Sequence, residues 1–243
     1  MKGIKSHAIL LFSVLAGIFA LSIYGLLSGD IPTEFNDVYH ALLDYSDQDI
    51  NQVIIREIRL PRIMMAIISG AALSVAGMLM QTLFQNPLAG PYVLGINSGS
   101  SLMVALGVLS GVGFFNSELG LIGSALLGAF VFGLFILFTA SFLRNQIGLL
   151  LFGVMLGSFV SAIITILEAG SQAEALKSFA LWSMGSLNNV TIDQIPIIFA
   201  VFVSTCFLTF FIVKPLNILI LGEEECRLMG YDIKKIRILI VFI

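Results

Sequence analysis

Six stretches of the sequence, each about twenty residues long, contain no aspartate, glutamate, lysine, arginine or histidine. A helix of that length crosses a hydrocarbon core of roughly 30 Å. The six stretches are Ala8–Leu27, Ile63–Phe84, Pro91–Gly113, Leu119–Leu143, Gly148–Leu167 and Ile195–Val213. A seventh apolar run begins near Ile236, with Arg237 at its start, and extends to Ile243. The sequence therefore predicts an all-α polytopic membrane protein with six complete transmembrane helices and the start of a seventh.

Composition argues against several other classes of protein. Only 11% of the 243 residues are charged, whereas a soluble globular domain carries about 25%. The two cysteines, Cys206 and Cys226, are too few for a disulfide-stapled secreted fold. The sequence has no basic patch that would indicate nucleic-acid binding.

The first apolar run could be mistaken for a signal peptide. Lys2 and Lys5 precede the first run, but this run is longer than a signal-peptide core and lacks a clear small-residue cleavage site. We therefore interpret it as a retained helix.

Two prolines and a glycine within Gln85–Pro91 interrupt helical hydrogen bonding. A tight turn is expected there, between the second and third spans.

The distribution of lysine and arginine predicts the orientation, because these residues favour the cytoplasmic side. With a cytoplasmic N-terminus, eight of the twelve lie on inner segments and four on outer segments. We therefore expect an outer loop over residues 28–60 and a cytoplasmic loop over residues 214–235. The pattern of Asp30–Gln52 also predicts a short amphipathic helix within the outer loop.

Small residues recur at four-residue spacing in several runs, a pattern that lets helices in lipid pack closely. The stripes are Ala66, Gly70 and Ser74; Gly95 and Gly99; Gly107 and Gly111; Gly120, Ser124 and Gly128; and Gly153, Gly157 and Ser161. Ordinary tight packing is the first interpretation. A helix that also slides or lines a pathway is the second.

The predicted spans lack the groups that several intramembrane activities need. No aspartate, glutamate, lysine, arginine or histidine lies in the middle of a complete span, which argues against an ion-driven pump. The two histidines, His7 and His40, lie beside or outside the first span, which argues against a membrane haem site. No lysine follows a glycine, as a phosphate-binding loop requires. We expect no enzyme activity and no cofactor, and assign any ATP hydrolysis to a separate subunit.

Three arginines, Arg56, Arg59 and Arg62, lie at the predicted outer end of the second span. Arginines at membrane ends often extend to the interface. Alternatively, guanidinium groups pair in bidentate fashion with carboxylates on an external partner. The residues alone leave both interpretations open. Within this cluster, Pro61 suits a helix start.

Two segments on the predicted inner side carry further motifs. Gln81–Ala89, followed by Pro91 and Gly95, fits a helical hairpin. Leu221–Gly230 places three glutamates behind a glycine, which suits the first turn of a short surface helix, where the helix dipole favours anions. Gly230 suits the end of that helix. A surface helix of this kind could press on a soluble motor.

Taken in order, these segments resemble the permease subunits of ABC importers for iron-siderophores, haem and cobalamin, the FecCD-type family. The resemblance runs from about Arg56 to the C-terminus. The matching motifs are Arg59–Arg62, Gly70–Leu73 leading through Gly77 to Gln81, Asn86–Ala89, Leu94–Gly95 with Gly99, Trp182–Leu187 and the glutamate-rich loop.

The resemblance implies a transport subunit that imports its substrate by alternating access across the bacterial cytoplasmic membrane. The expected partners are a second permease copy or paralogue, a pair of cytosolic ABC ATPases, and a periplasmic or lipoprotein substrate-binding protein. An iron-siderophore-like chelate is the expected cargo, with haem or cobalamin left open. The family likeness also implies one permease domain over residues 1–243 that is incomplete at its C-terminus.

The resemblance also implies roles for individual residues. Arg56 and Arg59 would dock the binding protein. The cytoplasmic gate would contain Asn86, Pro87, Leu88 and Ala89, near the Arg144–Gly148 turn. The outer gate would contain Trp182, Gly185 and Ser186, and Gly148–Leu167 would line the path. Coupling to the ATPase would use Glu223, Glu224, Glu225, Arg227 and Gly230.

Two alternative functions remain at this point. A nucleotide-independent carrier or exporter would be expected to have repeated halves, and the six runs show no convincing repeat. A purely structural membrane subunit would need neither the tight Asn86–Pro87 turn nor a cytosolic coupling loop. Co-purification with an ATPase separates the importer from both.

Overall fold

The structure is a computed structural model that describes residues 2–87, 89–90, 92, 95–110, 118–142, 146–188 and 190–243. Within these ranges the chain forms helices joined by turns, and no β-strand occurs. The prediction of an all-α fold is confirmed for this part of the chain.

The described residues form eleven α-helices, one π-helix and one 3-10 turn. They are α1 (Lys2–Leu27), α2 (Phe35–Leu43), α3 (Ile50–Val53), a π-helix (Ile54–Arg59), α4 (Leu60–Phe84), α5 (Ile96–Leu109), α6 (Glu118–Phe142), α7 (Gln146–Ala169), α8 (Ala173–Ser183), a 3-10 turn (Ile192–Gln194), α9 (Ile195–Leu219), α10 (Glu223–Leu228) and α11 (Ile233–Phe242).

Five helical segments of the described chain are long and apolar enough to cross a membrane. They are His7–Leu27, Ile50–Phe84, Gly120–Thr139, Ile147–Ala169 and Ile192–Leu219. The predicted third span corresponds to α5, which has 14 residues and is about 21 Å long at 1.5 Å per residue. Residues 91, 93–94 and 111–117 beside it lie outside the described ranges, so the predicted count of six spans is not confirmed.

Helical winding begins well before the predicted start of the second span. The sequence predicts a helix start at Pro61, but α3 and the π-helix precede α4 without a break, so Pro61 lies inside continuous helical winding and this prediction is wrong. The amide of Leu60 donates to the carbonyl of Ile55, five residues earlier. A proline ring crowds the carbonyl four residues before it, and a wide π-turn ahead of Pro61 lets the helix continue past this clash.

The chain divides into two compact units, described separately here. The first contains Met1–Ala72 and Leu187–Val203, and the second contains Leu73–Ser186 and Ser204–Ile243. In the first unit, Leu26, Val38 and Ile55 belong to one buried apolar cluster. Val38 lies on α2, which buries one face and exposes the other. The amphipathic helix predicted within Asp30–Gln52 is therefore confirmed as α2.

Helices α5 and α6 of the second unit pack through glycines. A Cβ added to Gly128 would lie 2.2 Å from the carbonyl oxygen of Gly99, and one added to Gly99 would lie 2.3 Å from the ring of Phe132. Ser100 Oγ also donates to the carbonyl of Ala125 at 2.9 Å. The prediction of close packing is confirmed for this pair.

The other small-residue stripes differ from one another in how closely they pack. A Cβ on Gly95 would come within 3.2 Å of the carbonyl oxygen of Gly153, so α5 and α7 also approach closely. In α4, Ala66, Gly70 and Ser74 are exposed. Close packing predicted for the α4 stripe does not occur among the described residues.

Candidate functional site

The guanidinium group of Arg59 is enclosed by the first unit. Nη1 donates to the carbonyl of Leu26 at 2.7 Å and to Thr33 Oγ1 at 2.8 Å, and Nη2 donates to the carbonyl of Ile31 at 2.6 Å. Leu26 lies in the last turn of α1, where carbonyls lack helical partners and the dipole favours a cation. Arg59 therefore holds the end of α1 to the segment that follows it.

Gly29 makes room for this arrangement. A Cβ at this position would lie 2.6 Å from Arg59 Nη2. No local sequence pattern links Gly29 to Arg59, because the two residues are distant along the chain. Their juxtaposition depends on the return of the chain through α2.

The other two arginines of the cluster lie in different surroundings. The guanidinium carbon of Arg56 is 4.3 Å from the centroid of the Tyr45 ring, a cation–π geometry. Arg62 Nε is buried and has no hydrogen-bond partner among the described residues. The cluster is therefore not one uniform basic surface: Arg59 is buried, while Arg56 and Arg62 are half-buried.

The predicted outer-gate residues lie at the end of α8 in the second unit. The Trp182 ring stacks on Phe179, with centroids 6.2 Å apart and planes 23° apart. Phe179 is buried beside Val104 of α5. Gly185 has a φ of 75°, which favours glycine, and both Gly185 and Ser186 are exposed. Trp182 is thereby fixed against α5, while the residues after it remain accessible.

The predicted cytoplasmic-gate residues follow the end of α4. Gln85 has a φ of 47°, and its amide donates to the carbonyl of Thr82, while the Asn86 amide donates to that of Gln81. This pair of bonds is a Schellman termination, which usually has glycine at the left-handed position. A non-glycine residue there costs about 1–2 kcal/mol. Gln85 therefore adopts a backbone conformation that is unfavourable for a non-glycine residue.

The described residues of the 86–89 turn differ in exposure. Pro87 is exposed, Asn86 is half-buried and Ala89 is 3% exposed. Leu88, the fourth predicted gate residue, lies outside the described residues, as do residues 143–145 of the predicted Arg144–Gly148 turn. Ala89 belongs to a large buried cluster of the second unit, called here the inner cluster.

The inner cluster joins several helices of the second unit. It contains buried residues from α4, α6, α7, α9, α10 and α11 together with Ala89. Leu83, Leu219 and Cys226 are each at most 1% exposed. Ala89 of the turn and Cys226 of the predicted coupling segment, which are distant along the chain, thus belong to one apolar core.

The predicted coupling segment forms the short helix α10. Gly222 precedes it with a φ of 141°. At its end, Gly230 has a φ of 84°, its amide donates to the carbonyl of Arg227, and the Tyr231 amide donates to that of Cys226. These bonds form a Schellman motif. The predicted helix, with glutamates in its first turn and Gly230 at its end, is confirmed.

The three glutamates of α10 have unequal roles. Glu223 forms an ion pair and hydrogen bond with Arg237 of α11, and its carboxylate lies 3.9 Å from Arg227 Nη2. Glu224 and Glu225 are exposed. Leu228 is 87% exposed, an unusual position for a large apolar side chain next to charged residues. Glu223 therefore anchors α10, whereas Glu224 and Leu228 face outward.

Cys226 is the buried anchor of the same helix. Burial raises the pKa of the Cys226 thiol, and the nearby negative charge of Glu223 raises it further. The thiol therefore stays protonated and packs as a small apolar group. In the part of the chain that the structure describes, no group of three histidine, cysteine, aspartate or glutamate side chains could hold a metal ion.

Sequence reasoning missed the two polar contacts that fix this site. One is the Glu223–Arg237 ion pair. The other joins Gln85 Nε2 to the carbonyl of Leu219 at 2.8 Å. In the sequence, Arg237 contributes only to the predicted orientation, and Gln85 only to the predicted turn. Neither contact has a local sequence signature, since each joins segments that meet only in the fold.

The apolar helices and the short polar helix α10 define a polytopic helical membrane protein. A model of the FecCD transport family matches residues 14–243. Because this match covers nearly the whole sequence, the chain belongs to the FecCD transport family.

Individual relatives and a solved structure agree with this assignment. The hemin transport system permease protein HmuU of Yersinia pestis is 35% identical over 210 residues, which are 84% of this chain and 62% of HmuU. The molybdate import system permease protein MolB of Haemophilus influenzae is 33% identical over 199 residues, 80% of this chain and 57% of MolB. The chain therefore spans about three fifths of the length of these relatives.

The fold itself is similar to a solved inward-facing structure of a metal-chelate type ABC transporter. The TM-score is 0.80 at 28% sequence identity, and the match covers 97% of this chain and 72% of the other.

Proposed function

We propose that this chain is the transmembrane subunit of an ATP-driven importer that works by alternating access. The observation that carries the proposal is α10. Within a chain of the FecCD transport family, it forms a short helix anchored by Glu223 and Cys226, with Glu224 and Leu228 exposed on one face. A separate cytosolic ABC ATPase would bind this face, and a pair of ATPases would serve two permease copies.

The exposed face of α10 suits a protein partner. Glu224 and Leu228 are four residues apart and therefore share one side of the helix. An exposed leucine beside a carboxylate offers an apolar anchor with a polar rim, the usual composition of a binding hot spot. Under the predicted orientation, this face lies in the cytoplasm, where the ATPase would be.

Docking of an external substrate-binding protein is proposed at Arg56 and Arg59, with unequal parts. Arg56 lies on the Tyr45 ring and is half-buried, which limits the side-chain entropy lost on pairing with a carboxylate. Arg59 uses both terminal nitrogens within the first unit. We therefore assign direct pairing mainly to Arg56, and to Arg59 the shaping of the surface around it.

The proposed cargo is a metal chelate, either an iron-siderophore or a porphyrin or corrin complex. Support comes from HmuU, which is a hemin permease, and from the metal-chelate transporter structure. MolB makes an oxyanion the second candidate. In the cytoplasmic membrane, Trp182, Gly185 and Ser186 would contribute to the outer gate, and Asn86 to Ala89 to the inner gate.

Co-purification with the cognate ATPase tests the proposal. The variant Glu224→Ala/Leu228→Ser removes the exposed face of α10 and leaves its anchors in place. We expect wild type to retain the ATPase and the variant to retain at least about fivefold less, the loss expected when a hot spot is truncated. The matched control is Glu174→Ala/Leu181→Ser on α8, where both residues are also exposed.

The outcomes separate the importer from its alternatives. If wild type and control bind the ATPase equally and the α10 variant does not, coupling through α10 is supported. If wild type binds no ATPase, the importer assignment fails and a nucleotide-independent carrier becomes the better hypothesis.

A further inference from the structure

Gln85 occupies a backbone position that normally selects glycine. Its φ of 47° is the only positive φ of a non-glycine residue in the described part of the chain. Glycine adopts this conformation without steric cost, and the Schellman bonds at the end of α4 would form equally well with it. The glutamine side chain is therefore the feature that needs an explanation.

The side chain reaches the end of another helix. Gln85 Nε2 donates to the carbonyl oxygen of Leu219, the last residue of α9, at 2.8 Å. The same oxygen accepts the amide of Gly222 at 3.2 Å, and Gly222 is the residue immediately before α10. One carbonyl thus connects Gln85 to the turn that leads into α10.

Apolar contacts also join these segments, and such contacts have no fixed direction. Leu219, Ala89 and Cys226 all belong to the inner cluster. Burial of apolar surface is non-directional, so these contacts hold the segments together without fixing how one follows the other. A hydrogen bond has a preferred distance and angle. Gln85 supplies such a directional contact directly before the 86–89 turn.

We propose that Gln85 is a positioning residue that transmits movement of α10 to the 86–89 turn through the carbonyl of Leu219. The inference rests on the proposed function, in which an ATPase moves α10 and the 86–89 turn forms the inner gate. Without the amide, α10 would still bind the ATPase, but the turn would no longer respond to nucleotide.

A thiol reporter on the turn tests this role without a known substrate. Pro87 is exposed, so Pro87→Cys is introduced in a Cys206→Ala background. Labelling by a charged maleimide is measured in the complex with its ATPase, nucleotide-free and trapped with ATP and vanadate. Labelling of the parent without Pro87→Cys is subtracted. The readout is the ratio of labelling rates between the two states.

Two variants remove the amide in different ways. Gln85→Leu keeps a side chain of similar size, and Gln85→Gly suits the left-handed backbone, so at least one should fold. We expect both to lower the labelling ratio toward one by about two- to tenfold, the shift in equilibrium that follows the loss of one hydrogen bond. ATPase binding and ATP hydrolysis should persist. The matched control is Asn217→Leu, which removes an exposed amide from α9.

Each outcome decides a different point. A purely structural role would change labelling equally in both states and leave their ratio intact, which overturns the proposal. A nucleotide-dependent ratio that survives in both Gln85 variants also overturns it, while the proposed function stands. If the reporter protein binds no ATPase, or its ratio is already one, the proposed function loses its premise and this inference falls with it.

Discussion

The arginine cluster and the glutamate cluster look alike in the sequence but differ in the structure. Each places three like charges beside an apolar run. In the first, Arg59 is buried with three hydrogen bonds to its own unit. In the second, only Glu223 is held by an ion pair, and Glu224 and Glu225 are exposed. A cluster of charges therefore combines structural residues with residues free to meet a partner.

The largest expected effect comes from Arg59, the residue that most sharply separates the two clusters. Arg59→Met should lower the free energy of unfolding by about 2–4 kcal/mol, because it removes three charge-assisted hydrogen bonds of a buried guanidinium group. Thermal unfolding in detergent measures the loss. Arg56→Met is the matched control and should cost about 0.5–1 kcal/mol, the value of an exposed cation–π contact.

The opposite result would contradict the structural role of Arg59. If Arg59→Met were as stable as Arg56→Met, and yet bound the external binding protein more weakly, Arg59 would act mainly in docking. The two clusters would then be alike after all.

The next largest effect concerns the different roles of Glu223 and Glu224 in α10. Glu223→Gln should lower the free energy of unfolding by about 0.5–1 kcal/mol, because it removes the charge that pairs with Arg237 at a partly exposed site. Glu224→Gln should leave the free energy of unfolding within about 0.5 kcal/mol of wild type, as surface substitutions usually do. Chemical unfolding followed by tryptophan fluorescence or circular dichroism measures both.

Binding should show the reverse order. Glu224→Gln should weaken ATPase capture more than Glu223→Gln does, because Glu224 is on the exposed face. If Glu223→Gln weakened capture more at unchanged stability, Glu223 would contact the ATPase directly, and the assignment of an anchoring role would be wrong.

The smallest effect is a pH dependence from Cys226. Its pKa is raised above the ordinary 9.0 by burial and then by Glu223. As pH rises past 9.0, the unfolded thiol loses its proton before the folded one does, so the free energy of unfolding falls until the folded pKa is passed. Below pH 9.0 the thiol contributes no pH dependence.

Stability measured between pH 7 and 10 in wild type and Cys226→Ala tests this. The decline above pH 9.0 should be steeper in wild type, since the alanine variant lacks the titrating thiol. Parallel curves would mean that the thiol titrates alike in the folded and unfolded states, contrary to its burial in the inner cluster.

Local sequence patterns were sufficient where the physics is local. Apolar runs long enough for the bilayer predicted five apolar segments of the fold. The glutamates of the first turn and Gly230 predicted α10, since helix dipole and left-handed termination depend on adjacent residues. Small-residue spacing predicted close packing both for α5 with α6, where it occurs, and for α4, where the stripe is exposed. The spacing does not identify the helix against which a stripe packs.

The sequence by itself determined that this chain is an all-helical membrane protein of the FecCD transport family, because span length and ordered motifs are read directly along the chain. Only the tertiary structure decided that Arg59 is held by the end of α1, that Glu223 pairs with Arg237, and that Gln85 reaches Leu219. Each of these contacts joins residues far apart in sequence. Their partners are set by how the helices pack, which no local pattern specifies.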